Sequence, residues 1–162
     1  VKQQALLILF ALFSIGFIGA CSKESEVPTA SGPIVGQWDI NRYVISNLPA
    51  SYSTLNGTIN SNLGTDTYTF RVDSTYSEDY SSSNGTSKGN EEGKWSLRDS
   101  VLTLRPTMST GQSPASYALK YLSDTGELST GPYKSSGSVQ NPDTHLNETV
   151  TYTLEFFYRK RY

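Results

Sequence analysis

The chain has 162 residues, a formal charge of −2, one cysteine and one histidine. A single cysteine excludes an internal disulfide, and one His with one Cys excludes a zinc site built from several such ligands. Lysine and arginine are scattered until Arg159-Lys160-Arg161, so no basic face for nucleic acid is expected.

In chain order, Lys2 precedes a nearly unbroken apolar run over residues 5–20, interrupted only by Ser14, Gly16 and Gly19. A membrane-spanning helix needs ~20 apolar residues. This run is shorter and ends in small residues, so it reads as a secretory signal peptide. Ile18-Gly19-Ala20-Cys21 resembles the lipobox of bacterial lipoproteins: an aliphatic residue, two small ones, then Cys. The resemblance implies cleavage before Cys21, a diacylglycerol thioether on its sulfur and a further acyl chain, such as palmitate, on its amine. Each buried CH₂ contributes ~0.8 kcal/mol and stable anchoring takes two lipid signals, so a protein held this way is anchored rather than spanning. Ser22 stands where an Asp would signal inner-membrane retention. An outer-membrane location is therefore expected, facing the periplasm or the cell surface. Lys23, Glu24 and Glu26 resemble the charged export signals of surface lipoproteins in Bacteroidetes-type bacteria. Residues 21–33, with Pro28, Gly32 and Pro33, read as the lipidated Cys and a flexible tether, and residues 34–162 as one domain.

The domain alternates aromatic or β-branched residues with polar ones in short runs, separated by Gly, Asn, Ser and Asp. Eight strands are expected, over residues 35–46, 65–72, 75–81, 93–98, 101–105, 116–122, 127–130 and 149–159. Turn compositions such as Asp73-Ser74, Arg98-Asp99-Ser100 and Ser123-Asp124-Thr125-Gly126 join several of them. No helical period follows the signal. Successive strands with short links predict an all-β, eight-stranded antiparallel up-and-down barrel, which removes sheet edges. Residues 50–64, 106–114 and 134–146 are expected to be long polar loops.

Gly36-Gln37-Trp38 resembles the G-x-W motif of lipocalins. Tyr68-Thr69-Phe70, Glu92-Gly93-Lys94-Trp95-Ser96-Leu97, Leu102-Thr103-Leu104 and Tyr121-Leu122-Ser123 extend the similarity to the lipocalin-like domain of Bacteroidetes-type lipoproteins. The resemblance implies a barrel closed at one end by Trp38, and a last-strand arginine against that indole, with Arg159 and Arg161 as candidates. Plain alternation places both arginines on the face opposite Tyr152 and Phe156. The resemblance does not imply an enzyme.

The residues themselves point away from catalysis. Nucleophilic catalysis needs a base beside the nucleophile, and His145 lies in a polar stretch. Glu78-Asp79 and Glu91-Glu92 are adjacent pairs, so their members point to opposite faces of a strand. Asp66, Asp73 and Asp143 lack a calcium-loop spacing. No metal and no cofactor are expected. The candidate ligand pocket is the set Arg42, Tyr68, Tyr76, Glu78, Tyr80, Tyr117, Tyr121 and Tyr152, aromatic rings with polar ends. Arg42 falls in phase with Trp38, Ile40 and Val44, and Glu78 with Tyr76 and Tyr80. Burying an unpaired charge is costly. Either the two pair inside the barrel, or they sit at its wet mouth, or the alternation breaks there.

Two functions follow: a barrel that binds a small apolar or amphipathic ligand, or a filled barrel serving as a non-catalytic interaction module in an envelope complex. The lipid anchor is testable apart from either. Metabolic labelling with a radiolabelled fatty acid should mark the native protein, and Cys21→Ser should abolish both the label and signal cleavage. Normal labelling of that variant would remove the anchor.

Overall fold

The computed structural model describes residues 32–108 and 115–162. The signal segment, Cys21, the tether up to residue 31 and residues 109–114 lie outside them. The described strands are β1 (Gly36–Ser46), β2 (Gly57–Ile59), β3 (Thr65–Phe70), β4 (Thr75–Ser81), β5 (Lys88–Arg98), β6 (Val101–Met108), β7 (Tyr117–Leu122), β8 (Glu127–Ser129), β9 (Tyr133–Gln140) and β10 (Asn147–Lys160), with a 3₁₀ helix at Ala50–Leu55. Hydrogen bonding runs β1-β3-β4-β5-β6-β7-β8-β10, and β10 pairs back on β1. This is a closed, eight-stranded antiparallel barrel with its strands in the expected order, although β5 starts at Lys88 rather than at residue 93 and β6 runs on to Met108, into the stretch expected as a loop from residue 106.

Two strands lie where polar loops were expected. β2 pairs with β1 at Tyr43, Val44 and Ile45. β9 pairs with β10 from Asn147 to Leu154. Their compositions, Gly57-Thr58-Ile59 and the Ser- and Gly-rich β9, carry little strand signal of their own. Pairing with a strongly alternating neighbour overrides that weak propensity. With the outer halves of β1 and β10 they form a four-stranded flange that continues the barrel wall beyond its mouth. The 134–146 stretch is thus mostly strand, and exposed His145 sits in the β9–β10 turn.

The β3–β4, β5–β6 and β7–β8 turns, the start of β1 and the end of β10 share one end of the barrel. That end is closed by packing. Trp38 is 1 % exposed, and its indole N–H donates to the Ile34 carbonyl at 2.6 Å. Tyr121 meets the ring edge-on at 6.2 Å. Phe70 and Trp95 pack edge-to-face at 5.8 Å, and the Trp95 N–H donates to the Arg71 carbonyl. Leu102, Leu104, Leu119 and Leu128 fill the remainder of this end. Gly93 is required there, because a Cβ would lie 2.7 Å from the Tyr76 ring, which rests against β5.

The cation over Trp38 is Lys160, 5.9 Å from the ring and bonded to the Pro33 carbonyl at 2.8 Å. Arg161 instead forms a two-pronged pair with Asp39, and Arg159 lies 3.9 Å from Glu127. The cause is alternation: Lys160 pairs with Trp38 across the seam and shares its face, whereas its neighbours face outward.

Truncating a buried aromatic residue in a core costs ~3–5 kcal/mol. Trp38→Ala should therefore lower the urea unfolding midpoint sharply. A midpoint close to the native one would show that the closed end does not depend on this ring.

Candidate functional site

The β1–β10 seam decides which side chains enter the barrel. Its register shifts between Ile40 and Arg42, leaving Asn41 as a bulge. A bulge adds one residue and reverses the facing of everything after it. Ile40 still faces Tyr158, but Arg42 pairs with Phe157 and Tyr43 with Phe156. Arg42 therefore points outward. Its guanidinium lies 3.5 Å over the Phe157 ring and donates to Glu127 at 2.7 Å. Glu127 is only 3 % exposed and also accepts from Asn41. The expected inward Arg42 and its pairing with Glu78 are thus both corrected. Val44, paired with Glu155, turns outward for the same reason.

Without Arg42, the charge at the open end of the barrel is acidic, the inward Lys160 lying at the closed end. Asp66 on β3, Glu78 on β4 and Glu91 on β5 share the inner face near the open end. Glu78 lies directly opposite both Tyr68 and Glu91, and Asp66 lies opposite Tyr80. The adjacent pairs Glu78-Asp79 and Glu91-Glu92 do split between faces, yet one member of each converges across the β4–β5 ladder.

Tyrosines supply the hydrogen bonds. Tyr158 donates to Asp66 at 2.8 Å. Tyr117 donates to Glu91 at 2.7 Å, and the Tyr76 hydroxyl donates to the same carboxylate oxygen. Tyr68 and Tyr117 hydroxyls are 3.5 Å apart, and Tyr117 is 3.4 Å from Glu78. Among the described residues no ion pair reaches these three acids; the pairs present join Arg42 and Arg159 to Glu127, and Arg161 to Asp39. One Asp66 oxygen, Oδ1, is buried without a partner. Burial disfavours the ionised form of a carboxyl. It pushes Glu78 up to about 7, helped by the charge of Asp66, and raises Asp66 against the opposing hydrogen bond from Tyr158. Burial likewise raises the phenols of Tyr68, Tyr76, Tyr117 and Tyr158, which stay protonated as donors.

Beneath this layer the barrel is filled. Tyr68 stacks on Phe70 at 5.7 Å and meets Tyr158 edge-on at 5.1 Å. Above it, the inner face of β10 continues through Phe156, Leu154 and Tyr152 onto the flange. Tyr43 packs 5.7 Å and Tyr133 6.3 Å from Phe156, and Ile45 pairs with Leu154. These rings are half-buried or, for Tyr133, exposed. The 3₁₀ helix approaches the flange through buried Tyr52, whose hydroxyl donates to Glu148 at 2.8 Å. The result is an apolar shelf that begins at the acid–tyrosine layer.

Of the residues expected in the pocket, the layer brings together Tyr68, Tyr76, Glu78 and Tyr117. Tyr121 belongs to the closed end, and Tyr152 lies out on the flange. Tyr80 is 42 % exposed, lies against Gly89, and borders an open surface cleft of about 450 Å³ with Thr65, Ser81, Lys88 and Asn90. Asp66, Glu91 and Tyr158 were missed as site residues. Each is in phase with an inward aromatic or glycine two positions away, so the signal was alternation carried one step further.

The lipocalin-like domain family model matches residues 34–128, and the chain belongs to that family. A crystal structure of a lipocalin-like protein from Bacteroides uniformis is similar to it at 14 % identity, with a TM-score of 0.43, covering 80 % of this chain and all of the other. No curated protein matches.

The acid layer makes stability depend on pH. Glu78 titrates at about 7 in the folded chain against 4.5 for an ordinary glutamate. Between those values the folded protein holds a proton that the unfolded chain has released. This contribution is present below 4.5 and is lost as pH rises through about 7. The urea midpoint of the native protein should fall across that window, and Glu78→Gln should flatten the fall. An equally steep fall in the variant would remove Glu78 as its source.

Proposed function

We propose that the protein is a non-catalytic, outer-membrane lipoprotein, held by lipid on Cys21, whose lipocalin-like barrel binds a small amphipathic ligand at its open mouth. The polar end of the ligand rests on Asp66, Glu78 and Glu91, and its apolar body lies along Phe156, Leu154 and Tyr43. The observation that carries this reading is the contact between a carboxylate layer that has no basic partner among the described residues and an incompletely covered apolar shelf. A ligand that donates hydrogen bonds or carries positive charge satisfies the first and covers the second. An acidic ligand, the natural partner of an inward Arg42, would meet like charge. The anchor rests on the lipobox pattern of residues 18–21.

A second reading has its own support: the interior below the layer is packed with side chains, as a barrel used only for protein contacts would be. Calorimetric titration with octylamine and with octanoate at about pH 8 separates the two readings. Octylamine should bind more tightly by about tenfold or more, the factor that corresponds to ~1.4 kcal/mol of charge preference. Phe156→Ser should weaken it, whereas Arg42→Leu should leave the preference for the amine in place. Binding of neither compound favours the interaction module, and tighter binding of octanoate would refute the acidic mouth.

A further inference from the structure

We propose that Asp66 and Glu78 hold one proton between them, and that its loss sets the mouth of the barrel to select a cationic ligand head. The inference concerns the regulation of the proposed ligand site and, for its ligand-binding half, rests on that reading.

The geometry carries it. Asp66 and Glu78 stand on the inner faces of neighbouring strands, diagonal to each other and two register pairs apart, Asp66 opposite Tyr80 and Glu78 opposite Tyr68. Asp66 Oδ2 is taken by the Tyr158 hydroxyl, while Oδ1 is buried and lacks a donor. A buried acceptor left unpaired is costly. Three of the phenols around the layer are committed: Tyr76 and Tyr117 donate to Glu91, and Tyr158 to Asp66 Oδ2, while the Tyr68 hydroxyl lies 3.5 Å from that of Tyr117. A protonated Glu78 supplies the missing donor, since a neutral carboxyl gains one O–H. Two carboxylates in one poorly solvated site resist ionising together.

The groups facing the pair are Tyr68 from β3, Tyr76 and Tyr80 from β4, Glu91 from β5, Tyr117 from β7 and Tyr158 from β10. Ile40 of β1 and Leu104 of β6 present only apolar surface. Among these, none is a base that would hold both acids ionised. The inward lysine, Lys160, lies at the closed end over Trp38. The shifts of the two carboxyls run the way this arrangement requires: burial and the neighbouring charge of Asp66 move Glu78 to about 7, and burial raises Asp66.

Loss of the shared proton adds one negative charge to the layer and leaves Asp66 Oδ1 without its donor. An ammonium head supplies both the compensating charge and the hydrogen bond. Octylamine should therefore bind more tightly as the pair ionises, and by linkage its binding should expel the proton.

Carboxyl carbon NMR on the ligand-free native protein tests the shared proton directly. Glu78 should titrate near neutrality, with Asp66 responding in the same step, and Asp66→Asn should move the Glu78 midpoint down. Titration of both acids in the ordinary carboxylate range would overturn the proposal. Octylamine binding at about pH 5.5 and about pH 8 then tests the consequence. Affinity about tenfold higher at the upper pH, with proton release in calorimetry repeated in two buffers, supports the switch. Equal affinities without proton release overturn it. Absence of binding at both values refutes the ligand reading, while the carbon titration still decides the shared proton. Should Asp66→Asn fail to fold, Glu78→Gln supplies the same test, because octylamine affinity should then lose its pH dependence.

Discussion

Closure of the barrel along the β1–β10 seam is the contact on which the rest of the structure depends. The ladder runs from Trp38–Lys160 to Ser46–Thr153 and contains one irregularity, the bulge at Asn41. Below the bulge, β1 contributes Trp38 and Ile40 to a filled core. Above it, the same strand turns Tyr43 and Ile45 inward and Arg42 outward. One inserted residue therefore has three results: it lets β1 leave the barrel for the flange, builds half of the apolar shelf, and keeps the guanidinium outside. A bulge that re-aims a side chain at the rim of a barrel is a recurrent use of this element.

The acid–tyrosine layer follows from that exclusion. Asp66 and Glu78, at the top of a small barrel, are desolvated, and among the described residues the donors that reach them and Glu91 are phenols rather than cations. Phenols satisfy acceptors without neutralising charge. The proposed shared proton and the proposed preference for a positively charged head both rest on that shortage of cations. Arg42 is not wasted outside: Glu127 is buried there and takes hydrogen bonds from both Asn41 and Arg42, which fixes the bulge that sends the arginine outward. Breaking one side of such a buried pair is costlier than never having had it.

The barrel was legible in the sequence because its strands alternate cleanly. Thr149–Tyr158 keeps one phase from end to end, and β10 has that phase in the structure without interruption. Gly36-Gln37-Trp38 marked the closed end for a reason visible in the packing: the indole fills the base and bonds the Ile34 carbonyl. The site was only partly legible. Tyr68, Tyr76, Glu78 and Tyr117 followed from period-two counting. Arg42 did not, because nothing in Ile40-Asn41-Arg42 announces a bulge, and a one-residue insertion reverses all later facings. Asp66 was weighed only for calcium-loop spacing, and Glu91 only as one half of an adjacent pair. Both conclusions came from considering neighbours along the chain, whereas the cluster forms across strands. β2 and β9 were unreadable because their strand character comes from the partners they pair with.

The central claim is that ligand is held at the mouth, between the carboxylate layer and the flange. Intermolecular NOEs between octylamine and the isotope-labelled protein test it most directly. The account predicts that the methylene protons next to the amine contact the Tyr117 and Tyr158 rings, and that the terminal methyl contacts Phe156 and Leu154. Contacts to Trp38 and Tyr121 at the closed end, or to the outer face around Arg42 and Phe157, would contradict it.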